Sequence, residues 1–134
     1  RLGESVAAVP IARHHERPAP ERWSVNEIVE HLALVERGVA RGFAKWLEEA
    51  RTAGVAPEGE TSPLLERMRM EHVVARSQKI VAPPRVTPTQ NAPSAASLAS
   101  IDESRAALIA AAEGADGLAL GSIVQPHPVL GPLT

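Results

Sequence analysis

Residues 21–38 read ERWSVNEIVEHLALVERG. Ser24 is a good helix N-cap, and Glu27 three residues later completes a capping box. Trp23 before the cap and Ile28 after it can form a hydrophobic staple. Apolar residues then recur at 25, 28, 29, 32, 35, 39, 43, 46 and 47. That spacing predicts an amphipathic helix over 24–53, with Gly54 as its stop.

Residues 1–12 before it suit a short helix with Leu2, Val6 and Val9 on one stripe, ending near Pro10. The stretch RHHERPAPER (13–22) is polar and carries two prolines, so it reads as a loop with His14 and His15 solvated. After a loop at 55–61, a second helix is expected from Ser62, with Pro63 at its first position, to about Ile80. Its stripe would be Leu64, Met68, His72 and Ala75. Residues 82–93 (APPRVTPTQNAP) hold four prolines and read as an extended crossover. A further helix is expected from Ser94 or Ser97 to Glu113. Leu98, Ile101, Leu108, Ile109 and Ala112 would be its stripe and Gly114 its stop. The tail, 114–134, reads as a loop ending in QPHPVLGPLT. No internal repeat and no convincing strand stands out. The expected class is all-α, as a single domain over 1–134.

Around the first long helix, each residue advances about 100°. Ile28, Val29, Leu32, Val39, Phe43 and Trp46 then share one face. Glu36 falls inside that face and His31 on its edge, whereas Glu27, Glu30 and Leu34 point away. A carboxylate on a core face needs a partner. Arg105, set among Leu98, Ile101, Leu108 and Ile109, is the expected one, and both side chains could instead reach to an edge. The pair is also a candidate contact for a polar ligand or cofactor. His31 reads either as a hydrogen-bonded boundary residue or as a metal ligand, and no HxxxH pair stands beside it. His72 on an apolar stripe reads as a core histidine, and His127 is confined between two prolines.

The chain has 134 residues, 14 basic and 16 acidic, for a formal net charge of −2. The charges are mixed, so no basic stripe suggests nucleic acid and no polybasic block suggests a membrane surface. One Phe, two Trp and no Tyr leave no platform for stacking bases. The absence of cysteine excludes disulfides, thiolate metal sites and a cysteine nucleophile, and fits a cytoplasmic setting. The start has no apolar signal region, and no run is long enough to span a membrane. The first residue is Arg, so a trimmed chain or a piece of a longer one is expected. No GxSxG elbow or glycine-rich phosphate loop occurs. Glu48–Glu49 and Asp102–Glu103 read as solvated or helix-start acids.

WSVNEIVEHLALVE (23–36), the Pro-rich crossover, a helix with a central Arg, and HPVLGPLT (127–134) together resemble the DinB-like superfamily, from about residue 17 to the end. The resemblance implies a four-helix bundle, up-up-down-down with long crossovers. It implies a divalent metal, nickel or zinc, held by three histidines. One of these corresponds to His31, and two come from an HxxxH on a last helix. It also implies thiol-dependent transferase or isomerase chemistry with a low-molecular-weight thiol, and a homodimer. This sequence departs from the pattern: it stops at Thr134, near the cap of that last helix, and the HxxxH pair is absent. The expected metal set is therefore reduced to His31, with His72 and His127 as possible helpers. The bundle is expected to expose an apolar groove. A non-catalytic module that binds or dimerises through that groove is the competing expectation.

Overall fold

The computed structural model describes residues 1–59, 81–89, 92–115, 117–122, 125–127 and 131–133. The helix expected from Ser62 to Ile80, with His72, lies outside them. The described chain is all-α in class. It contains α1 (Leu2–Ala7), α2 (Val25–Thr52) and α3 (Ser94–Glu113). Short 3-10 turns occupy Ile11–Arg13, Pro84–Val86 and Leu120–Ser122.

Both ends of α2 are written locally. The Ser24 hydroxyl accepts from the Glu27 amide at 3.3 Å, and the Glu27 carboxylate accepts from the Ser24 amide at 2.8 Å. Two amides that a helix start leaves orphaned are thereby satisfied. At the other end, Gly54 takes φ +67, a left-handed conformation that suits glycine. Its amide reaches Arg51 O, and the Val55 amide reaches Ala50 O at 3.1 Å, the paired bonds of a Schellman stop. Helix α3 has no side-chain cap of its own. The Ser94 amide instead donates to Asn26 Oδ1 of α2 at 2.9 Å. Gly114 does end α3, but at φ −68 rather than in the left-handed region.

Helices α2 and α3 run side by side in the same direction. Asn26 meets Ser94 at one end, Glu36 and Arg37 meet Arg105 and Ser100 in the middle, and Arg51 donates to Gly114 O at 2.6 Å at the other. Parallel neighbours need a long connection, which residues 53–93 provide. Past their ends the segments that follow the two helices stay together: the Glu58 amide donates to Gly117 O, and the Ala119 amide to Ala56 O.

The buried row of α2 is Val29, Ala33, Ala40, Leu47 and Ala50, and the buried row of α3 is Ser94, Ser97, Ile101 and Ser104. Val6, Val29, Ala33 and Ile101 form the core cluster, with Leu2, Val25 and Leu98 packed against it. Much of this seam is alanine and serine, so the backbones can approach closely. The apolar stripe expected to face the core is thus displaced. Ile28, Leu32, Val35 and Val39 are 46, 37, 38 and 49% exposed, and on α3 Ile109 is 53% exposed. Trp23, expected to staple the helix start, contacts His31.

The tail differs from the expected loop. Gln125–His127 and Gly131–Leu133 form an antiparallel pair of strands, β1 and β2. Pro126 lies opposite Pro132. Neither has an amide hydrogen, so this pair can only occupy a position that exchanges no ladder bonds.

Candidate functional site

The capping box does more than start α2, because it fixes where Trp23 leaves the chain. From there the indole lies over His31, with ring centroids 4.9 Å apart and planes tilted by 49°. The opposite constraint comes from the crossover, where Val86 O stands 2.7 Å from His31 Nδ1. A carbonyl only accepts, so Nδ1 carries the hydrogen and donates it. In the neutral ring Nε2 then carries the lone pair, and it makes no hydrogen bond among the described residues. The half-buried ring is thereby fixed in tautomer as well as in direction.

Two neighbouring carboxylates, expected to point away from the core side, are both buried. The reason is that segments read as loops fold back onto α2. Arg17, from the N-terminal loop, makes a bidentate ion pair with Glu27. That guanidinium, more than the Ser24 contacts, holds the Glu27 carboxyl down at about 2. Glu30 takes Thr89 from the crossover: its Oε1 accepts from the Thr89 amide at 3.0 Å and from the Thr89 hydroxyl at 2.6 Å. Its Oε2 is buried and has no hydrogen-bond partner among the described residues.

His14, expected in solvent, is also buried. Its Nε2 donates to Val9 O at 2.8 Å, and its Nδ1 pairs with Ser94 Oγ at 2.8 Å. The His14 carbonyl accepts from the Asn26 amide, and Asn26 Oδ1 accepts from the Ser94 amide. The three residues form a closed polar ring tying the N-terminal segment to both long helices.

Glu36 and Arg105 do meet across the seam, through two parallel bonds of 2.9 Å. The pair sits at the edge of the seam rather than inside it, with the Arg105 side chain 55% exposed and that of Glu36 20%. His127 lies in β1, opposite Gly131. Among the described residues no group of three or more His, Asp or Glu gathers into a metal-ligand set.

The family model described as the DinB superfamily matches residues 1–134, and the chain belongs to that superfamily. No curated protein and no solved structure matches it. No helix among the described residues is long and apolar enough to cross a membrane.

Proposed function

We propose that the chain serves the metal-dependent chemistry of the DinB superfamily, with His31 as a metal ligand through Nε2. The reaction class we propose is a transfer, isomerisation or hydrolysis that uses a low-molecular-weight thiol or water. The observation that supports this is the 2.7 Å bond from His31 Nδ1 to Val86 O. Histidines that bind metals characteristically donate their other ring N–H to a carbonyl or carboxylate, which fixes the tautomer and raises ligand basicity. The imidazole fits that role. One imidazole is not a complete set, since nickel or zinc needs further ligands, and the described residues do not gather them. A divalent metal of this kind, when bound, lowers the pKa of a thiol or water. What the chain's own residues contribute is orientation: Trp23 and Val86 hold the ring from two sides.

Titration of the purified chain with nickel or zinc, followed calorimetrically, tests the reading. Uptake of one ion per chain, weakened at least tenfold in His31→Ala, is the expected result. Equal uptake in His31→Ala, or no uptake by the parent chain, would sink it.

A second reading has its own observation. Ile28, Leu32, Val35 and Val39 form an exposed apolar stripe at helical spacing along α2. It supports a homodimer or a binding module that uses this face. Sedimentation should then detect a dimer in the parent chain that dissociates in Leu32→Glu. A parent chain that is monomeric at all concentrations and purifies with no bound partner or ligand counts against it.

A further inference from the structure

We infer that Glu30 is a positioning residue for His31, acting through the crossover and not by touching the imidazole. The functional consequence rests on the reading of His31 as a metal ligand. The positioning itself is measurable without any metal.

Glu30 and His31 are consecutive on α2, so their side chains leave the helix about 100° apart. They reach two points of one segment. His31 Nδ1 donates to Val86 O, and Glu30 Oε1 receives both the amide and the hydroxyl of Thr89, three residues on. Val86 closes a 3-10 turn that opens at Pro84. The turn is internally braced: the Val86 amide donates to Pro83 O, and the Thr87 hydroxyl donates to Pro83 O at 3.1 Å. Those bonds fix its shape but not its register on α2. The register is set from outside, and the described hydrogen bonds between the crossover and α2 are the ones to Glu30 and His31. Glu30 is the stronger of the two anchors, because its carboxylate accepts twice and such bonds are charge-assisted.

The arrangement has a cost. Glu30 Oε2 is buried with no partner among the described residues, which works against stability. Local rules are characteristically broken where a site is tuned for something other than stability. Here the return is the position of the Val86 carbonyl. With that carbonyl in place, His31 must keep its hydrogen on Nδ1, leaving Nε2 free. Without the anchor the carbonyl moves off, and the imidazole drifts to the Nε2–H tautomer that histidine favours in water. The nitrogen needed for the metal is then blocked by a proton.

The test is nitrogen NMR of the histidine rings in the metal-free chain, at a pH above the range in which histidine takes up a proton. In the parent chain His31 should show the hydrogen on Nδ1. In Glu30→Ala both ring nitrogens of His31 should shift towards a tautomer mixture. Glu30→Gln keeps an acceptor for Thr89 and should restore the parent pattern. His14 belongs to a separate hydrogen-bond ring and should be unchanged in each variant, which reports an intact fold. An unchanged His31 in a folded Glu30→Ala chain overturns the inference while leaving His31 as a metal ligand untouched. If Glu30→Ala perturbs His14 as well, Thr89→Val decides. It removes one of the two bonds from an exposed residue, and it should move His31 partway in the same direction; no movement overturns the inference. A parent chain with the hydrogen on Nε2 overturns both this inference and the support for the metal reading. Absence of metal uptake alongside the expected tautomers defeats only the metal reading.

Discussion

At the scale of single residues, the polar side chains of α2 are more informative than its apolar ones. Glu27 is buried, caps its own helix and pairs with Arg17. Its carboxyl is held down at about 2, from an ordinary value of 4.5. A depressed carboxyl contributes stability that is whole above the unfolded value and is lost as pH falls through the folded one. Glu27→Gln should therefore cost on the order of 1–2 kcal/mol near neutral pH, after allowing for the solvent that reaches Arg17. It should also flatten the loss of stability between about pH 4.5 and pH 2. Urea unfolding at a series of pH values reads both effects. A variant whose stability falls with acid as steeply as the parent's would show that the ion pair contributes nothing.

At the scale of elements, the start and stop of α2 were legible because those signals are local. Ser24 with Glu27 and the left-handed Gly54 need no tertiary information. The Glu36–Arg105 pair was legible from the need to match a carboxylate. Which face of each helix is buried was not legible, because α2 carries two adjacent apolar stripes. Ile28, Leu32, Val35 and Val39 are larger and more conspicuous than Val29, Ala33 and Ala40, yet the smaller row meets α3. Close approach to a serine-lined helix selected the small residues. His14, Arg17 and Glu30 were missed for a related reason: the contacts of each are made by a loop, and loops carry no periodicity. A faint signal existed for Glu30, namely a carboxylate beside His31 and two threonines in the crossover. The packing assignment predicts an asymmetry on α3. Ile101→Ala should cost about 2–5 kcal/mol, and Ile109→Ala should stay within about 0.5 kcal/mol. Equal losses in thermal or chemical unfolding would contradict the described seam.

At the scale of the whole molecule, three separate stretches converge on the first turns of α2. Residues 9–17 arrive through His14 and Arg17, the crossover through Val86 and Thr89, and α3 through Ser94. His14→Ala should open this junction, leaving Ser94 Oγ and Val9 O without their partner. A loss of about 1–3 kcal/mol is expected, with amide exchange in α1 accelerating before that in α2. Uniform protection across α1 and α2 in the variant would show that the histidine does not fasten the segment. The His14–Asn26–Ser94 ring also has a consequence for synthesis. Its members are separated by most of the chain's length, yet each leaves a polar group unmatched until the last has arrived. During translation the segment that carries His14 lacks part of its seat until residue 94 has left the ribosome. A nascent chain halted before that point should expose α1 to protease, and one released just beyond it should begin to protect α1.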